Sequence, residues 1–422
     1  MHIAYFTNLY HPIVNGVVRS VSAFRQSLTD LGHNVFIFAQ HASDYEDTEP
    51  FIFRYPAVQL PIQVKIPTVI PISPFLDRLL PSLKLDVIHT HYPFLLGQTA
   101  ANKAEELDLP LIFTFHTRYR HYVHYFPLPQ ETVQEFLKDA VDIWLGEYMQ
   151  KCHHIVVPSE SMKNQLMDEY GLLTGQVTTI PTGVDIRPYQ TADGDAIRAA
   201  RAWGTDRVLM AVGRLAPDKN WKTLLEAVAR VLPAHPRLRL ALIGEGHSKE
   251  ELSQYAQELG ISRRVEFIGE VPFDQIPRYL KAADLFGFSS PSETQGLATI
   301  EALAAGLPVI AVNATGTRDV IRNGLDGLLT ENNSAALAEA ICQVLESESV
   351  YQSLKTAALQ RAKDFDLTTQ SKRLVDVYQQ AIEDKKADRT VLVPKAKKFF
   401  NRVLDNGPFK QMRELITEIG RD

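Results

Sequence analysis

Cysteine and long apolar runs are both scarce in this chain. Only Cys152 and Cys342 occur among 422 residues, so there is no disulfide framework, which is typical of proteins in a reducing compartment. No apolar run approaches the ~20 residues that a membrane-spanning helix needs. Residues 1–7 predict a strand and lack the basic and apolar regions of a signal peptide. We therefore expect a cytoplasmic protein without a membrane span.

An excess of positive charge is also missing. The formal net charge is −6, which argues against a general nucleic-acid-binding protein. Possible metal-ligand patterns are weak, because His89-x-His91 and His121-x-x-His124 lack further ligands at a suitable spacing. The triplet Asp193-Gly194-Asp195 falls in a predicted linker. We therefore predict neither a nucleic-acid partner nor a metal site.

What the sequence does have is a regular alternation of short apolar strands with helices. Predicted strands of the first half are His2–Phe6, Asn34–Ala39, Val87–His89, Leu111–Phe115 and His154–Pro158. Predicted strands of the second half are Val208–Val212, Arg239–Ile243, Val265–Ile268, Leu285–Phe288 and Val309–Ala311. Predicted helices include Val17–Leu31, Gln130–Tyr148, Trp221–Val231, Ser248–Leu259, Ile276–Ala283 and Thr299–Ala305. This alternation predicts an α/β protein with two doubly wound, Rossmann-like domains.

The join between the domains is predicted near Ile180–Asp185, followed by the polar stretch Gln190–Asp195. The predicted organisation is an N-terminal domain over 1–186 and a C-terminal domain over 187–366. In doubly wound sheets, ligands bind at the carboxyl ends of the strands, so we expect the two domains to face each other across a cleft.

The segment Ser290–Ala302 carries the strongest functional signal. Glu293 and Glu301 flank a glycine-containing turn that opens a helix, and the helix runs into the apolar stretch Val309–Ala311. A helix start offers unpaired N–H groups and a positive dipole end, which suit an anion. Carboxylates accept hydrogen bonds from hydroxyl groups. The combination favours a ligand with phosphate at one end and sugar hydroxyls around it.

This Glu-x7-Glu arrangement resembles the donor-site signature of retaining glycosyltransferases of the GT-B fold, and the resemblance extends over most of the chain. It implies a nucleotide-sugar donor, with UDP-glucose as the default, and no required cofactor. By this resemblance Glu301 would hold the ribose and Glu293 the sugar 3-hydroxyl. Backbone groups of Thr294, Gln295, Gly296 and Leu297 would assist. A helix near 367–384 would cross back to the first domain.

Two cations follow the first strand of the second half. The run Gly213–Asn220 places Arg214 and Lys219 at the carboxyl edge of the sheet, where fixed positive charge would stabilise a departing diphosphate. The pattern resembles the family's diphosphate clamp. Further along, Gly244 would lie in a turn near the nucleotide, and Val271 would contact the base through its backbone.

The first half contributes further residues to the predicted site. Family members often have a glycine pair at the loop after the first strand, and here it is Asn15-Gly16. Asn tolerates positive φ, so we expect the turn to be kept. His116 lies just past a predicted strand, and the resemblance places it near the sugar and the reacting centre. Expected catalytic residues are thus His116, Arg214, Lys219 and Glu293.

The acceptor is indicated more weakly. The stretches around Ile88–Phe94 and His116–Tyr125 are similar to segments of diacylglycerol glucosyltransferases. The candidate acceptor residues are His91, Tyr92, Arg118, Tyr119 and Tyr122. They could meet a glycerolipid or a membrane phosphate.

Two segments suggest a membrane surface. The insert 55–81 is rich in proline and aliphatic residues, so it is either a rigid packed loop or a loop that enters a lipid interface. The tail 385–422 alternates cations with apolar residues at helical spacing and is broken at Gly407-Pro408. It either attaches to anionic lipid or docks on the protein itself.

The sequence thus predicts a peripheral membrane glycosyltransferase that moves a hexose from a UDP-sugar to a lipid hydroxyl, first of all glucose to diacylglycerol. Transfer to a soluble sugar, sugar phosphate or glycan remains an alternative. A non-catalytic membrane-binding protein on the same scaffold is a second alternative, from a different functional class. The sequence gives no basis for an oligomeric state.

Overall fold

Each half of the chain folds around its own parallel sheet. The structure is a computed structural model that describes residues 1–13, 15–58, 68–119 and 131–387. These residues divide into two units. The first unit holds Met1–Ile180 together with the chain from Ser371 onward, and the second unit holds Pro181–Gln370.

The first unit is an α/β sandwich. Its strands are β1 (His2–Thr7), β2 (Asn34–Gln40), β3 (Ile52–Tyr55), β4 (Ala57–Val58), β5 (Thr68–Val69), β6 (Val87–Thr90), β7 (Leu111–Thr114), β8 (His154–Val157) and β9 (Val177–Thr179). Its helices are α1 (Gly16–Asp30), α2 (Pro74–Leu79), α3 (Leu96–Glu106), α4 (Glu131–Met149) and α5 (Glu160–Tyr170). The main sheet has the order β3-β2-β1-β6-β7-β8-β9 and every pairing in it is parallel.

The second unit repeats this architecture. Its strands are β10 (Arg207–Val212), β11 (Leu238–Ile243), β12 (Val265–Gly269), β13 (Leu285–Phe288), β14 (Val309–Val312) and β15 (Gly327–Thr330). Its helices are α6 (Arg187–Thr191), α7 (Asp195–Ala200), α8 (Trp221–Val231), α9 (Lys249–Glu258), α10 (Ile276–Lys281), α11 (Leu297–Ala304), α12 (Thr317–Val320), α13 (Ser334–Glu346) and α14 (Glu348–Ala362). The sheet has the doubly wound order β12-β11-β10-β13-β14-β15.

The central strands are apolar on both faces, which is why they form parallel sheets covered by helices. In β1 all residues after His2 are buried, and in β13 and β14 every residue is buried. The first core is rich in aromatic side chains, among them the stacked pair Phe6 and Phe38. The cores of the second unit are mainly aliphatic. The predicted strands of both halves are confirmed to within one or two residues.

The last described helix, α15 (Leu367–Lys386), packs on the first sheet. The Tyr378 hydroxyl lies 2.9 Å from the Tyr5 hydroxyl and 2.8 Å from His89 Nδ1. Lys385 forms an ion pair with Asp108, at 2.9 Å. These contacts join the end of the described chain to its beginning.

The insert 55–81 is partly packed and partly exposed. β4 and β5 form a short antiparallel pair, and Ser73 caps α2 by accepting a hydrogen bond from Leu76 N. Val69 and Leu76 are buried in the first core, whereas Ile72 is 66% and Phe75 69% exposed. Residues 59–67 and the predicted basic tail beyond 387 lie outside the described residues. No described helix has the length and apolar character needed to cross a membrane.

Candidate functional site

The site of the second unit lies where its strand order reverses. β10 and β13 are neighbours in the sheet, although two strands and their helices separate them along the chain. In open α/β sheets this reversal leaves a crevice at the carboxyl ends of the strands, and ligands bind there. The loop after β10 carries Arg214 and Lys219, and the loop after β13 carries Glu293.

An ion pair joins these two loops. Lys219 Nζ donates a hydrogen bond to Glu293 Oε1 at 2.6 Å, and the side chains are only 20% and 16% exposed. The Ser289 hydroxyl bonds to the carbonyl oxygen of Lys219 at 2.9 Å. The predicted diphosphate ligand and the predicted sugar ligand are therefore direct neighbours. The pair uses one carboxylate oxygen of Glu293 and orients the other.

Arg214 is held by Asp218, a residue that the sequence analysis did not single out. Arg214 Nη2 lies 3.1 and 3.2 Å from the two carboxylate oxygens of Asp218, and Lys219 Nζ lies 3.7 Å from Oδ2. The charges of Arg214, Lys219, Asp218 and Glu293 sum to zero. A phosphate bound here would therefore depend on backbone N–H groups as well as on the two cations.

Glycines allow the neighbouring loops to pack against each other. A Cβ atom on Gly244 would lie 2.1 Å from Gly213 O, and one on Gly246 would lie 2.2 Å from Leu215 O. Leu215 N donates to Glu245 O at 2.9 Å, and Gly244 N donates to Gly269 O at 2.9 Å. Three successive loops thus form one rigid floor at the strand ends. Val271 follows this floor and packs partly buried on the core.

The turn before α11 is shaped by two more glycines. Gly296 has φ of +84°, which L side chains rarely adopt. A Cβ on Gly316 would lie 2.7 Å from Glu293 O, Thr294 C and Gln295 N, so Gly316 leaves the space in which this turn sits. Gly316 follows β14 and was not predicted as a site residue.

The side chains of Gln295 and Glu301, both in the predicted donor set, are buried in the second unit. The Gln295 side chain accepts a hydrogen bond from Thr182 N and donates one to Thr182 O, so its amide fixes the turn to the chain near the unit boundary. Glu301 is on the second turn of α11 and is buried. Helix α11 starts at Leu297, and Gly296 is its N-cap residue. Among the described residues, no side chain caps this helix start with a hydrogen bond. Backbone groups at this start remain oriented along the helix axis.

The first unit has its own reversal, between β1 and β6. Asn8 in the loop after β1 accepts a hydrogen bond from Leu96 N at the start of α3 and donates to Phe94 O. Gly16 begins α1 at the same edge of the sheet. The tolerance of Asn for positive φ is not used here, because Asn15 has an extended φ of −151°. Asn15 instead caps α1 by accepting a hydrogen bond from Val18 N at 2.9 Å, a role common for Asn.

His116 is paired with another predicted residue, His91. Their Nε2 and Nδ1 atoms are 2.9 Å apart, and the rings stack with centroids 5.2 Å apart. His91 follows β6 and His116 follows β7, so neighbouring parallel strands deliver them to one edge. One of these nitrogens donates a hydrogen bond to the other, and the tautomers of the two rings decide which one. His91 Nε2 is buried and has no hydrogen-bond partner among the described residues.

A third histidine lies behind this pair. His89 Nδ1 meets the Tyr378 hydroxyl at 2.8 Å, and Nε2 meets the Thr114 hydroxyl at 2.6 Å. Burial lowers the pKa of His116 to about 3 and lowers the pKa of His89 and of His91 well below the usual value. The three rings are therefore neutral near pH 7. They can donate and accept hydrogen bonds but bring no charge.

The remaining acceptor candidates lie on the same edge. Tyr92 is half-buried, and its carbonyl oxygen accepts a hydrogen bond from the Thr90 hydroxyl at 2.7 Å. Arg118 donates to Gln165 Oε1. Tyr119 packs edge-on against Phe94 and Phe115. Tyr122 lies outside the described residues.

The predicted site residues thus form two groups, one in each unit. The second unit brings together Arg214, Lys219 and Glu293, and the first unit brings together His91 and His116. Asp218 and Gly316 were missed. Asp218 lies inside the run that supplies the two cations. Gly316 lies in a Thr-Gly-Thr sequence just after a buried strand, and this was its only sequence signal.

Comparisons with known proteins match both halves of the chain. Residues 14–187 match the model "Glycosyltransferase Family 4", and residues 193–361 match "Glycosyl transferases group 1". The chain is 31% identical to the alpha-monoglucosyldiacylglycerol synthase of Streptococcus pneumoniae, over 78% of this chain and 75% of that protein. It is 28% identical to the enzyme of the same name from Acholeplasma laidlawii, over 81% and 87% of the two chains.

Other similarities are broader. The D-inositol 3-phosphate glycosyltransferase of a Nocardioides species is 30% identical over 70% of this chain and 67% of its own. Among solved structures, Anabaena HepE in complex with UDP has a TM-score of 0.71 at 19% identity, covering 90% of this chain and all of that one. The last similarity shows the fold. The two family models and the 31% identical relative show the family. This chain therefore belongs to the GT-B glycosyltransferases that carry a family 4 domain followed by a group 1 domain.

Proposed function

We propose that this chain is a retaining hexosyltransferase that moves glucose from UDP-glucose to a hydroxyl of diacylglycerol, giving an α-glycosyl lipid. The Lys219–Glu293 pair is the observation that carries the proposal, because it joins the predicted diphosphate ligand to the predicted sugar ligand beside a strand-order reversal. The names of the two synthases support the lipid acceptor. The proposal involves no metal ion or other cofactor.

The second unit holds the donor. Arg214 and Lys219 contact the diphosphate, with N–H groups of the Thr294–Leu297 turn adding hydrogen bonds at the start of α11. Glu293 accepts a hydrogen bond from the sugar 3-hydroxyl through the carboxylate oxygen that Lys219 does not use. Glu301 is assigned to the ribose hydroxyls, which requires the ribose to reach a carboxylate that is buried here. Gly244 and Val271 border the nucleotide.

The chemistry needs no protein nucleophile. The bond between the sugar C1 and the diphosphate oxygen breaks, and a bond from the acceptor oxygen to C1 forms on the same face of the ring. The acceptor proton passes to the departing phosphate. Negative charge grows on that phosphate in the transition state, and Arg214 and Lys219 lower the barrier by stabilising it.

The first unit supplies neutral groups. The family resemblance assigns His116 to the sugar, and His91 orients the His116 ring through the 2.9 Å hydrogen bond. Tyr92, Arg118 and Tyr119 are kept as acceptor contacts, and Gly16 as a contact of the donor phosphate at the start of α1. A neutral imidazole suits a step in which the phosphate, rather than a histidine, accepts the proton.

An anionic membrane surface is the proposed partner, and the cytoplasmic face of a membrane is the proposed location. The exposed Ile72 and Phe75 lie on one short segment whose neighbours Val69 and Leu76 anchor it in the core. Transfer of large apolar side chains from water into a lipid interface is favourable, because it removes apolar surface from water. The basic tail 385–422 would add electrostatic attraction.

A soluble acceptor is the second candidate. It is favoured by the similarity to the D-inositol 3-phosphate glycosyltransferase of Nocardioides. The two candidates share the donor site and differ only in what reaches the first unit. A non-catalytic scaffold is a third, and it would bind UDP without turnover.

The deciding experiment is transfer of labelled sugar from UDP-glucose and UDP-galactose. Acceptors are diacylglycerol in anionic vesicles, inositol 3-phosphate and a panel of soluble sugars. A labelled glycolipid with an α-anomeric proton signal is expected. Label confined to a soluble acceptor would contradict the lipid assignment, a β-anomer would contradict retention, and UDP binding without product would favour the scaffold.

The Glu293→Gln variant tests the donor assignment. It keeps the side-chain volume and removes the charge that holds Lys219. We expect transfer to be lost while UDP binding stays largely intact, because Arg214 and the backbone groups remain. Normal turnover in this variant would remove Glu293 from the site.

Membrane attachment is tested separately. The double variant Ile72→Ser, Phe75→Ser should sediment less with anionic vesicles, whereas Leu325→Ser, at a comparably exposed position of the second unit, should not. Deleting 395–422 should also weaken sedimentation, and high salt should mimic the deletion by screening. If neither the Ile72→Ser, Phe75→Ser variant nor the deletion of 395–422 reduced sedimentation, the membrane assignment would be wrong.

A further inference from the structure

Three potential metal ligands meet on the second unit, away from the donor residues. They are His235, Cys342 and Glu346, and their ligand atoms all lie within 4.8 Å of one another. His235 stands three residues before β11, at the amino ends of the strands. The donor residues Lys219 and Glu293 follow the carboxyl ends of β10 and β13, so the two sites belong to opposite edges of the sheet.

Two of these ligands lie on one helix, and the third lies in a hydrogen-bonded turn after another helix. Cys342 and Glu346 are four residues apart on α13, so their side chains project from the same face of the helix. His235 lies just after α8, where its N–H bonds to Val231 O at 3.0 Å and its carbonyl accepts from Leu238 N at 2.9 Å. Binding would therefore not require a loop to fold first.

The distances suit a tetrahedral ion. His235 Nε2 and Glu346 Oε1 are 3.4 Å apart. Zinc binds nitrogen and oxygen ligands at about 2.0–2.2 Å, so two ligands of one tetrahedral ion are about 3.3–3.5 Å apart. The same separation is long for a hydrogen bond. The Cys342 Sγ lies within 4.8 Å of both atoms.

The ligand types favour a zinc-class cation. Thiolate and imidazole together select zinc over magnesium or calcium, and a carboxylate completes a common three-ligand set. A metal displaces the thiol proton of Cys342 when it binds, because the thiolate is the form that ligates. The fourth position would be open to solvent, because the Glu346 side chain is 63% exposed and His235 borders a cavity of about 560 Å³.

We propose that His235, Cys342 and Glu346 form a binding site for one zinc-class divalent cation, with water as the fourth ligand. The site bridges the end of α8 and the last turn of α13. It plays no part in sugar transfer, since it lies at the other edge of the sheet. A bound ion stabilises the second unit, because it binds the folded state in preference to the unfolded chain.

The test uses the full-length chain, stripped of metal by a chelator and titrated with Co²⁺ alone. One equivalent should bind and produce the near-ultraviolet charge-transfer band of a cobalt thiolate, and Zn²⁺ should displace it. Cys342→Ser should abolish the band. His235→Gln and Glu346→Gln should each weaken Co²⁺ binding at least tenfold.

Matched controls separate this site from adventitious binding. Glu339→Gln alters an exposed carboxylate on the same helix, and His41→Gln alters an exposed histidine of the first unit, so both should bind Co²⁺ as the unaltered chain does. A band that survives in Cys342→Ser, or a folded unaltered chain without any band, would overturn the proposal.

A second measurement needs no variant and so does not depend on how a variant folds. Zn²⁺ should slow alkylation of the Cys342 thiol in the unaltered chain at least tenfold, as read by mass spectrometry of the peptide that contains it. Calcium at the same concentration should not. Equal alkylation with and without Zn²⁺ would also overturn the proposal.

Discussion

The two units share one architecture but equip the same topological position in opposite ways. At the reversal of the second sheet lie the charged side chains Lys219 and Glu293, and glycines let the loops pack closely. At the reversal of the first sheet lie neutral imidazoles and hydroxyls, with His91 and His116 hydrogen-bonded to each other. The comparison teaches that a doubly wound sheet fixes where a ligand binds, whereas the loops decide which chemistry it meets.

The largest expected effect comes from removing charge in the second unit. Lys219→Met takes away a proposed diphosphate contact and the ion pair with Glu293. We expect kcat/KM for the UDP-sugar to fall by about one to two decades, since a charge-assisted contact contributes about 1.5–3 kcal/mol. The measurement is steady-state transfer to whichever acceptor takes up label in the transfer experiment.

Lys222→Met is the matched control for that experiment. Lys222 also pairs with a glutamate, Glu251 at 2.5 Å, but on the exposed surface of α8. Exposed pairs contribute little, so this change should leave kcat/KM and stability nearly unaltered. If Lys219→Met and Lys222→Met changed kcat/KM equally, the charge of Lys219 would not contribute to transfer.

The next effect tests whether glycine shapes the second site. Gly316→Ala would bring a Cβ to 2.7 Å from backbone atoms of the Glu293–Gln295 turn, at a φ of +80°. We expect a free energy of unfolding lower by about 2–4 kcal/mol, from overpacking and positive φ together. We also expect transfer to slow about tenfold, because Glu293 is displaced.

Gly324→Ala separates these two causes. Gly324 has φ of +77° and open space where its Cβ would lie. It should therefore show only the backbone cost of about 1–2 kcal/mol, with normal transfer. A Gly316→Ala variant that lost no more stability and activity than Gly324→Ala would break the argument for this glycine.

A smaller effect tests the first unit. His91→Leu removes the hydrogen bond to His116, and we expect kcat to fall about three- to tenfold with little change in KM for the donor, since one neutral hydrogen bond is worth about 0.5–1.5 kcal/mol. His91→Asn places an amide nitrogen where Nδ1 lies, so it should recover part of the rate. Equal rates in the two variants would mean that His91 does not position His116.

The smallest effect is a pH dependence of stability. Because burial lowers the pKa of His116 to about 3 from an ordinary value near 6.5, the unfolded chain binds more protons between those values. The stability of the first unit should therefore fall as the pH drops through 6.5, by about 1 kcal/mol between pH 7.5 and 6 for His116 alone.

Hydrogen exchange can measure this difference within one molecule. Amides of β1, β6 and β7 should lose protection on acidification, after correction for intrinsic exchange rates, before those of β10 and β13. Protection lost first in the second unit would show that its ion pairs, rather than the buried histidines, govern acid stability.

Much of the fold follows from the sequence because buried parallel strands are short, apolar and regularly spaced. Leu285–Phe288 and Trp221–Val231 are found as predicted, end to end. β15 was missed, since a four-residue strand that begins with glycine has little strand character of its own. It forms because β14 offers it an open edge.

The site was predicted less completely because its contacts depend on register and on neighbours. Lys219 and Glu293 were both predicted donor ligands, but their direct pairing requires knowing that β10 and β13 are adjacent. His91 and His116 meet for a similar reason, because β6 pairs with β7. Asn is common both in turns with a positive φ and at helix N-caps, so its presence in the sequence does not decide between them. The backbone geometry shows that Asn15 is an N-cap.

The contact of α15 with the first sheet has a consequence for synthesis on the ribosome. Tyr378 completes hydrogen bonds with Tyr5 and His89, yet roughly 190 residues of the second unit are made between Ile180 and Ser371. At about 5–20 residues per second, this leaves an interval of ~10–40 s in which the first sheet lacks its last helix. The second unit is continuous in sequence and can finish folding during that interval, so the half of the protein that is begun first is the half that is completed last.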